Sequence, residues 1–129
     1  MTQATATPKT TLTTAQVAAR FNELAQKEKW FEIQDELFAD NVRSVEPAHS
    51  PYFKYAEGKV PVRKKGEDWV ARIQAAHGRY TSPPIIGSNH FAVARNVDIT
   101  VEGIGRIKIE ELMLYEVKDG KIVLEQFFY

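Results

Sequence analysis

Apolar residues recur at helical spacing as soon as the chain passes Leu12. Val17, Phe21, Leu24 and Ala25 fall on one stripe, and Thr13 with Gln16 three residues later forms a capping-box pattern at its start. The charged break Lys27-Glu28-Lys29 precedes a second short helical pattern, with Trp30, Phe31, Ile33, Leu37 and Phe38 apolar. Asp40-Asn41 reads as a turn, and Val42 to Glu46 as a short strand stopped by Pro47. Residues 48–62 hold His49, Pro51, Tyr52, Tyr55, Gly58 and Pro61, and read as a long irregular segment of the kind that borders a site. A third helix is expected from about Gly66 to Tyr80, where Trp69, Ile73, Ala76, His77 and Tyr80 recur at three- and four-residue steps. Ser82-Pro83-Pro84 ends it.

The remainder is patterned as strand over roughly 85–102, 105–117 and 121–129. Phe91, Val93, Val97, Ile99 and Val101 alternate with Ala92, Ala94, Asn96, Asp98 and Thr100, a period of two with one apolar face. Gly103 and Gly105 punctuate one connection, and Asp119-Gly120 signals a hairpin at the next. Helices first and a long antiparallel sheet after them imply an α+β fold.

Two charged residues interrupt the apolar faces. Ile107, Ile109, Met113, Tyr115 and Val117 share their face with Glu111, and Arg95 intrudes among Phe91, Val93 and Val97. An unpaired buried carboxylate is costly, so Glu111 must be neutral, paired or open to a cavity. Either Arg95 and Glu111 form a structural ion pair, or both line a pocket between helices and sheet. The last hairpin leaves a further choice. A two-residue Asp119-Gly120 turn puts Gln126 and Phe128 on the Glu111 face, whereas a three-residue turn with a bulge at Gly120 puts Glu125, Phe127 and Tyr129 there. The candidate residues named below follow the bulged register.

Composition narrows the classes. The chain has 129 residues, 43% apolar and 26% charged, with 17 Lys plus Arg balancing 17 Asp plus Glu. This is the mix of one water-soluble domain with room for a core and a pocket, and its even charge argues against a nucleic-acid or anionic-membrane partner. No apolar run approaches a spanning helix. Residues 1–12 are Thr- and Ala-rich, without the apolar core of a signal peptide, and are expected to form a disordered arm before a single domain over 13–129, with a cytoplasmic location as the default. The absence of cysteine removes disulfides, thiolate catalysis and Cys-ligated metals. His49, His77 and His90 lack the local spacing of metal ligands, no phosphate loop or Gly-x-Ser-x-Gly elbow is present, and neither metal nor cofactor is expected.

The order of elements, with the closing stretch Asp-Gly-Lys-Ile-Val-Leu-Glu-Gln-Phe-Phe-Tyr, resembles the SnoaL-like branch of the nuclear-transport-factor-2-like superfamily over about residues 13 to 129. The resemblance implies a cone-like fold, three helices on a curved sheet around a pocket, and a homodimer. Relatives include ketosteroid isomerase and polyketide cyclases, which move a proton next to a carbonyl. Phe38-Ala39-Asp40-Asn41, then a short strand, an acidic residue and proline, is similar to the isomerase. By that likeness Glu46 stands where the isomerase has its general base and Glu111 where it has its protonated oxyanion-hole carboxyl. Phe21 stands in place of the hole's tyrosine, a departure that points away from steroid isomerisation toward another acid–base reaction.

The candidate catalytic groups are therefore Glu46, Glu111 and His90, each with a plain alternative. Glu46 could be a solvated strand-end carboxylate and His90 a strand-entry residue bonded to backbone. His77 reads first as a satisfied semi-buried histidine and second as a pocket group. His49, Tyr52 and Tyr55 could rim the pocket or simply pack their loop. Phe21, Trp69, Phe91, Arg95, Met113, Glu125 and Phe127 complete the candidate wall. Three functions from different classes fit: a cofactor-independent isomerase- or cyclase-type enzyme, a non-catalytic binder of a small apolar or carbonyl-bearing molecule, and a dimeric interaction module.

Overall fold

The computed structural model describes residues 11–129, so most of the arm expected over residues 1–12 lies outside the described residues. The elements run α1 (Thr14–Ala25), α2 (Trp30–Leu37), β1 (Phe38–Val45), β2 (Ala56–Glu57), α3 (Lys59–Arg72), β3 (Ile73–Thr81), β4 (Ile85–Ile86), β5 (His90–Val101), β6 (Gly105–Lys118) and β7 (Lys121–Phe128). The fold is α+β: three helices pack on a curved sheet of order β2-β1-β7-β6-β5-β3, with β4 beside β5, and every pairing is antiparallel except β1 with β7. Among the described residues no helix is long and apolar enough to cross a membrane.

Helix α1 forms as its sequence dictates. The Thr13 hydroxyl accepts from the Gln16 amide while the Gln16 side chain accepts from the Thr13 amide, closing both halves of the capping box. Its stripe of Val17, Ala18, Phe21, Leu24 and Ala25 is buried, joined by Ile33 and Leu37 of α2. Phe38 does not extend α2. It turns extended and opens β1, which runs through Asp40-Asn41 with a register irregularity where a turn was expected.

The largest departure concerns the third helix, which begins and ends about seven residues before the expected 66–80. Gly58, at φ 95, turns the chain into α3, and Pro61 sits in its first turn, where a missing N–H costs nothing. Residues 73–81, expected as helix, are an edge strand paired to β5 from Ile73↔Val101 to Thr81↔Arg95. The three- and four-residue recurrence there was a coincidence of spacing. Gly78 and β-branched Ile73 and Thr81 weaken a helix, and the long β5 offers a full ladder of backbone partners.

Strands β5 and β6 pair without interruption from His90↔Glu116 to Val101↔Gly105, which fixes the two faces inferred from alternation. The β6–β7 hairpin resolves the open choice of register by a third route. Asp119 and Gly120 both have positive φ, 52° and 76°, and make a two-residue turn between Lys118 and Lys121. The bulge lies further on: Val117 pairs Ile122 but Glu116 pairs Leu124, leaving Val123 as the extra residue. Glu125 and Phe127 thereby face inward with Met113 and Tyr115, while Phe128 is 47% exposed on the other side.

Candidate functional site

Between α2, α3 and the helix-facing side of β5–β7 lies a cavity of about 690 Å³, a size suited to one small organic molecule. Its wall is mostly apolar, from Trp30, Phe31, Phe53, Val62, Trp69, Val97, Ile109, Met113 and Phe127, with Glu28, Glu46, Lys65, Arg95, Glu111 and Glu125 set into it. The core lies directly behind the wall, and Trp30 and Tyr115 border both. Phe21 packs on Trp30, Phe91 and Tyr115 at ring-centroid distances of 5.8, 5.1 and 4.7 Å.

At one end the charged groups form a continuous bonded chain. Lys65 Nζ donates to Ser44 Oγ (2.6 Å), Glu46 Oε2 (2.9 Å) and the Lys54 carbonyl (3.2 Å), and the Ser44 hydroxyl donates to Glu125 Oε2 (2.7 Å). The Tyr129 hydroxyl donates to Glu46 Oε1 (2.8 Å), and Ser50 lies 2.5 Å from that hydroxyl while accepting from the amides of Tyr52 and Phe53. The Glu46 side chain is only 4% exposed. Burial pushes Glu125 up to about 7, against the Ser44 hydrogen bond and the Lys65 charge. Burial also raises the Tyr129 phenol, which stays a proton donor.

A second knot holds Arg95. Its guanidinium donates to Glu28 at 2.9 and 3.1 Å and to Thr81 Oγ1 at 2.8 Å, and lies over the Trp30 ring at 4.5 Å. Glu28 reaches it from a left-handed backbone at φ 57 and also accepts from Trp30 Nε1 at 2.9 Å. Burial pushes Glu28 up, but its bonds to Arg95 and Trp30 outweigh that and hold the carboxyl below its usual range.

Glu111 stands between these knots with no hydrogen bond or ion pair to the protein among the described residues. Arg95 is its cross-strand partner through the backbone, yet the Arg95 side chain is committed to Glu28. Burial pushes Glu111 up to about 7; Arg95 pulls it back, and the charges of Glu46 and Glu125 add to the rise. Tyr115, fully buried and raised by that burial, directs its hydroxyl at the Met113 sulfur, 3.7 Å away, its one side-chain partner among the described residues.

The structure thus gathers Glu46, Glu111, Trp69, Arg95, Met113, Glu125 and Phe127 around the cavity, and excludes six other candidates. His90 is on the opposite face of the sheet, bonded to Asn89 Oδ1 at 2.8 Å, because strand alternation turns it away when Phe91 turns in. His77, expected on a helix, is exposed on β3 against Thr100 Oγ1. His49 is in the loop, bonded to the Tyr129 carbonyl. Phe21 and Phe91 are sealed in the core rather than lining the cavity. Tyr52 borders a separate outer cleft. Of the two alternatives open for Arg95 and Glu111, the structure shows the second: both line the cavity, and Arg95 pairs with Glu28. Lys65, Ser44 and Glu28 were not singled out from the sequence. Lys65 sits in the charged run Arg63-Lys64-Lys65 and Glu28 in Lys27-Glu28-Lys29, both of which look like solvated surface. The surviving signal was indirect, since three carboxyls on inward positions require a cation among them. Among the described residues, no three His, Asp or Glu side chains gather as metal ligands.

Comparison with known proteins agrees with this architecture. The model of the SnoaL-like domain matches residues 12–129. A Mesorhizobium loti protein, described as a candidate SnoaL-like polyketide cyclase with carbohydrate phosphatase as an added designation, is 30% identical, with 92% of this chain and 100% of that one covered and a TM-score of 0.85. An NTF2-like protein of Burkholderia thailandensis shares the fold at 13% identity, over 91% of this chain and 90% of its own, with a TM-score of 0.75. A Catenulispora acidiphila protein with a ketosteroid isomerase-like fold, solved in complex with trimethylamine, shares it at 15% identity, 91% and 87% coverage and a TM-score of 0.65. No curated protein matches this chain. On the match across nearly the whole chain, this protein belongs to the SnoaL-like family, within the NTF2-like and ketosteroid-isomerase-like group of folds.

Proposed function

We propose that this protein takes a small, largely apolar, carbonyl-bearing molecule into the cavity and moves a proton next to the carbonyl without a cofactor. The observation that carries this reading is Glu111, a carboxyl on an apolar wall, without a bonded partner among the described residues and pushed up to about 7. A group with that pKa is divided between its two forms near neutrality, where it can both remove and return a proton. In its ionised form Glu111 takes a proton from the carbon beside the carbonyl. The C–H electron pair becomes the C=C bond of an enolate, and the carbonyl oxygen takes the charge. The Tyr115 hydroxyl, weakly engaged by Met113, donates to that oxygen, and burial keeps its proton in place. Glu111 then returns the proton to carbon, so atoms and charge balance.

Glu46 has a different part from the general base that the family likeness implied. Both its oxygens are already taken, by Tyr129 and Lys65, so it contributes fixed negative charge that holds Glu111 basic. The supporting relatives are the SnoaL-like and ketosteroid-isomerase-like proteins named above; the M. loti protein lends the cyclase class.

The test is deuterium exchange from heavy water into the α-carbons of 2-decanone, a ketone that fits the proposed class, read by mass spectrometry. The native protein should accelerate exchange, with a rate that rises through pH about 7 as Glu111 ionises. Glu111→Gln should lose about a hundredfold or more of that acceleration, the usual weight of a positioned acid–base group. Native-rate exchange in Glu111→Gln ends this mechanism.

A further inference from the structure

A second cleft, of about 370 Å³, lies on the outer side of α3 against the loop that carries Tyr52 and Tyr55. Lys54, Lys64 and Arg72 border it, with Asp68 as the opposing carboxylate. Asp68 is paired to Lys64 at 3.2 Å, while no carboxylate within ion-pair distance meets Lys54 or Arg72 among the described residues. Arg72 is instead aimed by the Glu102 carbonyl (3.0 Å) and lies 5.9 Å over the Trp69 ring. The cleft therefore joins an uncompensated positive charge to aromatic walls. It is also next to the cavity: Phe53, Lys65 and Trp69 border both spaces, so single side chains separate them.

We infer that the cavity's ligand is an amphiphile whose anionic head, a carboxylate or a phosphate, rests in the Lys54–Arg72 cleft while its apolar body passes Phe53 and Trp69 into the cavity. The inference rests on the cavity being a small-molecule site, and adds the end of the molecule that the cavity cannot satisfy. Inside, all four cations on the wall lie within ion-pair distance of a carboxylate, Lys65 of Glu46, Arg95 and Arg79 of Glu28 and Lys29 of Glu32, whereas Lys54 and Arg72 have none among the described residues. A buried anion would also face Glu111 and Glu125, which burial has already made hard to charge. Outside, Arg72 lies over Trp69, which borders both spaces, and Lys54 follows Phe53, which does so too; among the described residues neither cation has a carboxylate within ion-pair distance. Chain direction follows from this: head at α3, reactive carbonyl further in toward Glu111.

The experiment compares decanoate, decyl phosphate and 1-decanol by calorimetry and by tryptophan fluorescence, since Trp69 borders both spaces. At low salt the native protein should bind both anions about tenfold or more tightly than decanol, and the preference should shrink as screening increases. Lys54→Gln with Arg72→Gln should weaken the anions about tenfold and leave decanol unchanged, decanol serving as the control for an intact cavity. Decyl phosphate binding ahead of decanoate assigns a phosphate head; the reverse assigns a carboxylate. Decanol binding as tightly as the anions in the native protein overturns the inference while leaving the cavity reading intact, and so does an equal loss for all three in the variant. Binding of none of the three overturns the cavity reading and the inference with it.

Discussion

Glu46 and Glu111 are two glutamates on one apolar wall, and their surroundings differ in nearly every respect. Glu46 has both oxygens bonded, one by Lys65 and one by Tyr129, in a chain that runs on through Ser44 to Glu125 and through Ser50 to the loop. Glu111 has no such partner among the described residues, although Arg95 starts from the backbone position opposite. What separates them is where the nearest cation is spent. Lys65 is spent on Glu46; Arg95 is drawn away by Glu28. The first arrangement builds a rigid end to the cavity from groups that would otherwise be costly to bury. The second leaves a carboxyl poorly solvated and poorly paired, which is unfavourable for folding and useful for proton transfer. Availability for chemistry here is decided by pairing and not by residue type or depth.

Removing the cation of the satisfied end is the strongest way to break the contrast. Lys65→Met strips Ser44, Glu46 and the Lys54 carbonyl of their donor at once and leaves Glu46 buried with an uncompensated charge. A loss of about 3 kcal/mol or more in urea-unfolding free energy is expected, the usual cost of orphaning one member of a buried ion pair. Adding Glu46→Gln should recover much of it, because no unpaired charge then remains. A Lys65→Met protein as stable as the native one would show that the chain is held by something else.

Glu111→Gln should act in the opposite direction. Its folded-state pKa is about 7 against an ordinary 4.5, so folding is favoured when it is protonated. That stability is complete below about 4.5 and is lost as pH rises to about 7. Substitution by neutral glutamine should therefore leave stability at pH 4 nearly unchanged and raise it at pH 8. The rise from 4.5 to about 7 sets a ceiling of about 3 kcal/mol, and water reaching the cavity lowers the gain to roughly 1–2 kcal/mol. Thermal unfolding at the two pH values reads the difference directly. A gain that is equal at both would mean that burial of charge is not its source.

The contrast between the two glutamates was only half legible in the sequence. Alternation put Glu111 and Arg95 inward because a strand's period of two is strict, and the uninterrupted β5–β6 ladder upholds it. The inward set of β7 followed the expected register, but through a different device. The Asp119-Gly120 turn is the tight one its residues favour, and the extra residue is Val123, whose bulge has no composition signal. Gly120 is also required where it is for a reason no local pattern holds: a Cβ there would come within 2.8 Å of Thr11. The third helix was misplaced because periodicity cannot see that β5 has room for an edge partner. Lys65 and Glu28, the two residues that decide which glutamate is paired, sit in charged runs and are aimed inward only by tertiary placement. Spacing locates a face; it does not tell which cation a side chain will reach.

The finest test of the comparison moves Arg95 between its two candidate partners. Glu28→Gln keeps the side chain's shape and an oxygen to accept from Trp30, but removes the charge that draws the guanidinium away. Arg95 retains Thr81 and the face of Trp30, neither of which is an anion, and Glu111 becomes the carboxylate opposite it on the neighbouring strand. One ion pair is exchanged for another and only the half-exposed Arg79–Glu28 contact at 3.8 Å is lost outright, so overall stability should change by only about 1 kcal/mol. The effect belongs instead in the titration of Glu111, whose midpoint should fall from about 7 toward the ordinary carboxylate range as a closer cation favours its charged form. Carbon-13 NMR of the glutamate carboxyls follows that midpoint, and the acid limb of the exchange rate should move with it to lower pH. The gain from Glu111→Gln at pH 8 should shrink in the same background. A midpoint that stays near 7 would show that burial alone sets the Glu111 proton, and that the clamp on Arg95 is incidental to it.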